Sequence, residues 1–308
     1  MLRGSLTLTC VLTVAASAAV RPGSEREPRP EEPRATAAFR PLPFFYDLYT
    51  FRGDDRQTTV VAAFAVPAGR LEREREDGVR YRFDVTLVLA DTALRSVFRT
   101  DDSVFVAVPR SLPGDHLLHT HIEVQAPPSS TTVQRVVMTD ATTPGIGQLY
   151  GAPFPIPDYS GSQLMLSDIA LGRPEAGGGW TRGDVTLALL PTSQLPASSF
   201  DVYYEIYNLP KEHRYSTEIA IERLDGSGSG KREEAGKVLT RFSGEAMPQA
   251  DGSVRELRRV ETSLPKGRYR LTVTVRNDNT GTTASRSRPF QVSGRGRGAT
   301  MVMALPRG

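Results

Sequence analysis

A two-residue alternation of apolar and polar side chains constrains the fold of this chain most strongly. In residues 79–91, every second side chain from Val79 to Leu89 is apolar, and most of the side chains between them are charged or polar. Because successive side chains of a β-strand point to opposite faces of the sheet, this pattern predicts strands with one buried face. Strands separated by turns rich in glycine, proline and aspartate are typical of an antiparallel β-sandwich, so we predict an all-β fold. The same alternation recurs in residues 58–67, 103–109, 116–124, 132–138, 184–191, 200–209, 215–224, 237–242 and 268–276.

The chain length and the breaks in this alternation predict two domains in tandem. A chain of 308 residues is about twice as long as a typical domain. Residues 144–162 contain four prolines and four glycines, which makes them a predicted linker. We therefore predict one β-sandwich over residues 44–143 and another over residues 163–293, followed by a flexible tail over residues 294–308.

An internal repeat supports the duplication. Residues 101–124 parallel residues 251–275, because both contain D-x-S-V, a strand-length stretch, S-L-P, a glycine and a final alternating strand. By analogy with the first copy, residues 253–261 are predicted to form a strand, although Ser253 and Glu256 are spaced to cap a helix.

The N-terminus has the pattern of a secretory signal peptide over residues 1–18. Arg3 precedes an apolar stretch, which is followed by Ala16-Ser17-Ala18, and cleavage after Ala18 is expected. Residues 19–43 are rich in proline, arginine and glutamate and are predicted to be a disordered tether. No later stretch reaches membrane-spanning length. The expected location is the periplasm, the cell surface or the medium, with no transmembrane segment in the mature chain.

Charge and motifs exclude several function classes. The 38 basic and 35 acidic residues are interspersed and leave a net charge of only +3, so nucleic acid is not an expected partner. The sequence has no G-x-S-x-G motif, no phosphate-binding glycine loop and no cysteine beyond Cys10. We predict neither catalytic residues nor a cofactor.

One strand carries a candidate metal site. His119, His121 and Glu123 alternate with core-facing residues and share the opposite face. Two histidines in this spacing can bind zinc, and a carboxylate could complete the site. Ordinary solvated surface is the competing interpretation.

Aromatic side chains suggest a candidate ligand-binding surface. Trp180 follows a glycine run and is expected to be exposed, and Tyr203 and Tyr207 are placed to alternate towards an outer sheet face. Flat aromatic side chains on such a surface can hold a sugar. Core packing, or a plug over the sandwich end in the case of Trp180, is the competing interpretation.

Arg-Gly-Asp occurs twice, at residues 52–54 and 182–184. Both copies fall where a turn is expected, so turn chemistry explains them better than cell adhesion does.

Residues 264–275, LPKGRYRLTVTV, resemble the penultimate strand of fibronectin type III and immunoglobulin-like sandwiches. That resemblance implies that Tyr269 is the tyrosine of a tyrosine corner; its counterpart in the first repeat is His116. Residues 164–172, LMLSDIALG, and the closing stretch LPKGRYRLTVTVRNDNTGTT are also similar to the C-terminal β-rich regions of exported GWxTD-domain proteins, although the naming motif is absent. This second resemblance implies a location rather than a mechanism.

We therefore expect a non-enzymatic exported protein that is a protein-interaction or structural module of the cell envelope, with an envelope or extracellular protein as partner. A carbohydrate-binding module is one alternative, and a metal-dependent enzyme of unrecognised type is another.

Overall fold

Nineteen β-strands account for the regular structure of the described residues, apart from two short 3-10 turns, Ala68–Arg70 and Thr192–Gln194. The structure is a computed structural model, and it describes residues 40–76, 78–93, 97–174, 179–195, 199–224, 238–261 and 264–292. The prediction of an all-β fold is confirmed. The predicted signal peptide and the predicted tail lie outside the described residues, and within them no helix is long and apolar enough to cross a membrane.

The N-terminal half forms two sheets. Sheet 1 contains β6-β5-β8-β9, with β4 beside β5 and β1 beside β9, and sheet 2 has the order β2-β3-β7. The strands are β1 (Arg40–Pro41), β2 (Phe45–Arg52), β3 (Thr58–Pro67), β4 (Arg73–Glu76), β5 (Gly78–Asp91), β6 (Val97–Val108), β7 (Leu117–Ala126), β8 (Thr132–Asp140) and β9 (Ile146–Pro153).

The C-terminal half also forms two sheets. Sheet 3 has the order β10-β14-β11-β13-β12, with β17 on the other side of β14, and sheet 4 has the order β16-β15-β18-β19. The strands are β10 (Met165–Leu166), β11 (Ala170–Pro174), β12 (Trp180–Arg182), β13 (Val185–Leu189), β14 (Phe200–Tyr207), β15 (Arg214–Arg223), β16 (Val238–Glu245), β17 (Ser253–Val260), β18 (Gly267–Asn277) and β19 (Thr283–Val292).

Each half encloses its own apolar core between its two sheets. In the first half, one cluster of buried residues contains the alternating side chains of β5, such as Leu87, together with those of β3, such as Phe64. In the second half, the core includes Val202 of β14 and Val273 of β18. Alternation therefore predicts correctly which side chains enter these two cores.

The two halves share one strand order. The comparison leaves out β1 and β4 of the first half and β10 and the β12-β13 hairpin of the second, so that seven strands remain in each half and can be numbered along the chain. Strands 1-2-5 then form one sheet and strands 4-3-6-7 the other, in β2-β3-β7 and β6-β5-β8-β9 and again in β11-β14-β17 and β16-β15-β18-β19. This correspondence corrects the repeat found in the sequence. Residues 101–124 contain β6 and β7, whereas residues 251–275 contain β17 and β18, and β17 is the counterpart of β7. Both segments lead from one sheet to the other, with the sequence S-L-P between their two strands, which explains why they are alike.

The positions of the strands can be compared with three local predictions, which concern residues 253–261, the linker and the tether. Residues 253–261 were predicted as a strand, and β17 covers Ser253–Val260. The segment 144–162 is not wholly a linker, because β9 lies within it and pairs along β8. The alternation of apolar and polar side chains in β9 is not visible in the sequence, because Gly147 and Gly151 contribute no side chain to it. The predicted tether also ends early, since β1 pairs with the start of β9 and Leu42 is fully buried.

Candidate functional site

A third apolar core lies between the two sandwiches. It joins the face of sheet 2 that points away from the first core to the face of sheet 3 that points away from the second. Its members are Tyr49, Phe51, Val61, Ala63, Ala170, Trp180, Val185, Leu187, Leu189 and Tyr203. We call this region the junction.

Two central strands are buried on both faces because of the junction. In β3, nine of ten residues are buried, and in β14 all eight are buried. The sequence of β3, TTVVAAFAVP, is apolar almost throughout, as expected for a strand covered on both sides. The sequence signal for the junction was therefore present in this continuous apolar run.

Trp180 is at the centre of the junction, and the expectation that it is exposed is wrong. It is 1 % exposed. Its ring stacks on Phe51 with centroids 5.0 Å apart and meets Tyr203 edge-on at 5.3 Å. The hairpin of β12 and β13 extends sheet 3 beyond β11 and carries Trp180 over sheet 2. A tryptophan in this position cannot present its face to a sugar.

Glu205 of β14 is fully buried at one side of the junction and is surrounded by donors from strands of its own sheet. It accepts hydrogen bonds from the hydroxyls of Tyr203 at 2.7 Å and Tyr207 at 2.6 Å, and from Nε of Arg182 at 2.9 Å. The Nε atom of Arg255 lies 3.7 Å from the same carboxylate. Glu205, Tyr203 and Tyr207 therefore form a buried polar cluster, which we call the Glu205 cluster.

The protonation states in the Glu205 cluster follow from burial and from the carboxylate. Burial and the negative charge of Glu205 raise the pKa of Tyr203 and of Tyr207, so both hydroxyls stay protonated and donate. Burial lowers the pKa of Arg182, but its hydrogen bond and its attraction to Glu205 outweigh that effect and raise it overall. Tyr203 and Tyr207 do face the outer side of sheet 3, as predicted, but the first sandwich covers them.

Both Arg-Gly-Asp arginines are part of this junction. Arg182 donates to the carbonyl oxygen of Arg52 at 2.5 Å. Arg52 stacks on the ring of Tyr207 at 4.2 Å and donates to the carbonyl oxygen of Tyr159 at 3.1 Å. Gly183 has φ +63°, and a Cβ there would overlap the guanidinium of Arg255. The two motifs therefore serve turn and junction packing, in agreement with the interpretation from sequence.

A second charged cluster connects β2 to the edge strand β19. Asp47 accepts a hydrogen bond from Arg288 at 2.5 Å and another from the backbone N–H of Thr192 at 2.8 Å. Arg286 pairs with Asp168, whose other carboxylate oxygen accepts hydrogen bonds from the backbone and the hydroxyl of Thr50. Strand β2 thus makes one ion pair with β19, between Asp47 and Arg288, and hydrogen bonds with two further segments of the second half, at Thr192 and Asp168.

The structure does not bring His119, His121 and Glu123 together as a metal site. They pair across β3 with Ala65, Ala63 and Val61, so they lie on the junction face of sheet 2. His119 is buried, His121 is half-buried and Glu123 is exposed. In the described parts of the chain, no group of three His, Cys, Asp or Glu side chains is arranged to hold a metal ion.

His119 is instead a neutral histidine at the border of the junction. Burial, and then the positive charge of Arg173, lower its pKa to about 4. Neither ring nitrogen has a hydrogen-bond partner among the described residues.

Sequence reasoning missed the charged residues of the junction. Glu205, Asp47, Asp168, Arg286 and Arg288 each carry a charge into a buried or half-buried contact. A weak signal existed for Glu205, since it is the only acidic residue within the aromatic stretch VYYEIY. Nothing comparable distinguishes Arg286 and Arg288, because they belong to a regular alternation of serine and arginine.

No known protein family and no curated protein matches this sequence. Among solved structures, the chain is similar to a β-glucuronidase of Bacteroides uniformis, with 9% identity over 79% of this chain and 26% of that chain and a TM-score of 0.26. It is also similar to red sea bream transglutaminase, with 11% identity over 82% of this chain and 31% of that chain and a TM-score of 0.21. The chain thus spans under a third of the length of either protein, and TM-scores this low carry no inference about function.

Replacement of Glu205 by alanine should be severely destabilising. The variant Glu205→Ala leaves Arg182 and two tyrosine hydroxyls without their buried acceptor, and removal of one member of a buried ion pair costs about 3–5 kcal/mol. The free energy of unfolding in urea measures this loss. The matched control is Glu218→Ala, which breaks an exposed pair with Arg241 and should cost about 1 kcal/mol or less. Equal effects of the two variants would contradict the structural role of Glu205.

Truncation of Trp180 should likewise lower stability. Trp180→Ala leaves a cavity between sheets 2 and 3, and such a change typically costs about 3–5 kcal/mol. Leu239→Ala is the control, because Leu239 is 42 % exposed, and it should change stability by about 0.5 kcal/mol or less. Both values come from urea denaturation followed by circular dichroism. A stability loss for Trp180→Ala no larger than for the control would show that the junction is not packed as described.

His119 should make the protein less stable in acid. Between its ordinary pKa of 6.5 and its folded value of about 4, the unfolded chain binds a proton at this position that the folded chain does not. The free energy of unfolding should therefore fall as the pH decreases from 7 to 4, by about 3 kcal/mol from this group alone. His119→Leu should remove that part of the pH dependence, whereas His213→Gln, at a turn outside the junction, should retain it. An unchanged slope in His119→Leu would contradict the assignment.

Proposed function

We propose that this chain is a non-enzymatic exported protein that is a protein-interaction or structural module of the cell envelope. The observation that supports this proposal is the junction between the two sandwiches. Its aromatic core lies between the sandwiches, and Arg182 and Arg288 each donate a hydrogen bond to the first sandwich, at the carbonyl oxygen of Arg52 and at Asp47. These polar groups therefore help to hold the sandwiches together. Two sandwiches joined in this way can present their outer faces and edges to a partner with a constant spacing and orientation.

We further propose that both halves are sandwiches of the fibronectin type III or immunoglobulin-like type. The shared 1-2-5 and 4-3-6-7 strand order supports this assignment. In the second half, Tyr269 at the start of β18 donates its hydroxyl to the carbonyl oxygen of Pro265 at 2.8 Å, which is the hydrogen bond of a tyrosine corner. In the first half, β8 is the counterpart of β18 and begins with Thr132, so the similarity there depends on strand order alone.

The surface suggests which side of the molecule meets a partner. The outer face of sheet 4 carries hydroxyl pairs, Thr272 with Ser287 and Thr274 with Ser285, and one exposed apolar residue, Leu239, which is 42 % exposed. The outer face of sheet 1 carries two exposed apolar residues, Val97 at 55 % and Leu149 at 54 %. On this difference we propose that the interacting surface is on the first sandwich.

Affinity isolation of the tagged chain, with mild cross-linking, from native envelope and culture medium tests the function. We expect a reproducible protein partner whose recovery falls in Leu149→Glu and is unchanged in the matched variant Thr274→Glu on sheet 4. Mass spectrometry of the same material should find the N-terminus at Ala19 if the chain is exported as proposed. Recovery of the chain without any partner from both fractions would overturn the interaction proposal.

A further inference from the structure

Strand β6 is an open edge of sheet 1. Among the described strands it pairs only with β5, along its full length of 12 residues. In an antiparallel pair, alternate residues direct their backbone groups to the neighbour and the others direct them away. The N–H of Ser103 donates to the carboxylate of Asp102 at 2.8 Å, so Ser103 directs its backbone away from β5. Arg99 and Asp101 are an even number of residues from Ser103 and therefore also present their backbone groups at the open edge.

The hydrogen bonds of β5 agree with this assignment. Arg82 is opposite Phe105 of β6, and its carbonyl oxygen accepts a hydrogen bond from Ala141 on the other side of the strand at 3.1 Å. Odd-numbered residues of β6 are thus in non-hydrogen-bonded positions relative to β5, as the Ser103 contact indicates.

The open edge carries one exposed residue of each charge on the same face. The side chains of Arg99 and Asp101 are 63% and 62% exposed, and they make only a surface ion pair at 3.2 Å. They are opposite Val88 and Thr86 of β5, which places both on the outer face of sheet 1. A pair of opposite charges two residues apart is self-complementary when the strand meets an antiparallel copy of itself.

Only one nearby register uses this complementarity. With a two-fold axis through Thr100, Arg99 faces Asp101 of the second copy and Asp101 faces its Arg99. An axis through Arg99, Asp101 or Asp102 instead places that residue opposite its own copy, and like charges directly opposite destabilise a sheet. Charged edge residues normally protect a strand from unspecific pairing. Here they disfavour other strands and favour one arrangement of a second copy.

We propose that two copies of this chain associate through antiparallel β6 strands, with the two-fold axis at Thr100, so that their two copies of sheet 1 form one continuous sheet. The inference rests on the proposed function and names the partner as a second copy. Residues 97–103 of each copy would form the new ladder. Exposed Val97 would then be opposite Ser103 of the second copy.

Sedimentation velocity of the purified mature chain, with a charge-swap series, is the first test. We expect a dimer for the unaltered chain. Asp101→Arg places arginines opposite each other twice and should raise the dimer dissociation constant by about tenfold or more. The double variant Arg99→Asp with Asp101→Arg restores both opposite pairs and should restore the dimer. Far-UV circular dichroism checks that each variant is folded.

Disulfide cross-linking tests the register independently. Residues at the two-fold axis form a non-hydrogen-bonded pair, with Cα atoms about 4.5 Å apart, which is within the range of a disulfide. Thr100→Cys in the mature chain should therefore form a covalent dimer under mild oxidation. Thr139→Cys is the control, because Thr139 is exposed on the outer face of sheet 1, away from the edge.

The outcomes separate this inference from the proposed function. A monomer at all concentrations, with no more cross-linking in Thr100→Cys than in Thr139→Cys, would overturn self-pairing. If the unaltered chain forms a dimer but the double variant Arg99→Asp with Asp101→Arg does not, the proposed register would be overturned. A different protein bound at β6 would support the interaction module and would also overturn self-pairing.

Discussion

Sheet 2 is apolar on both faces, and the arrangement of the rest of the molecule depends on that constraint. A sheet of only three strands cannot keep β3 out of water unless another layer covers each side. Sheet 1 covers one side and sheet 3 covers the other. The two sandwiches therefore depend on each other, because either one alone would expose the aromatic and aliphatic side chains of the junction to water.

The charged clusters add specificity to this apolar contact. Removing a carboxylate and a guanidinium from water is expensive, and a buried ion pair is weak evidence for net stability. Glu205 holds Arg182 and the two tyrosines, which belong to its own sheet. From there Arg182 donates to the carbonyl oxygen of Arg52 and Tyr207 accepts from the Arg52 backbone N–H, so the cluster selects the position of β2 against sheet 3. Asp47 with Arg288, and Asp168 with Arg286, restrict the position of β19 relative to β2 in the same way. An apolar surface brings the sheets together, and the polar groups select one orientation.

The same constraint shapes the proposed function. Aromatic side chains that would suit a ligand surface, and histidines that would suit a metal, are drawn into or against the junction. The surfaces left for a partner include the outer faces of sheets 1 and 4 and the open edges, and in our proposal the charges on β6 make one of those edges selective.

The sequence by itself determined the all-β class, most of the strands and the side chains that enter the first two cores, because alternation with period two is a local property of each segment. The resemblance of residues 264–275 to a strand with a tyrosine corner also singled out Tyr269, whose hydroxyl donates to the carbonyl oxygen of Pro265. Only the tertiary structure decided that Trp180, Tyr203 and Tyr207 are buried and that His119 lies at a junction. Alternation shows that a strand has a second face, but it does not show whether water or another sheet covers that face. Glu205 and Arg182 are 23 residues apart and meet through the strand order of sheet 3, whereas Asp47 and Arg288 are 241 residues apart and meet through the way the sheets stack, so neither pairing follows from a local pattern.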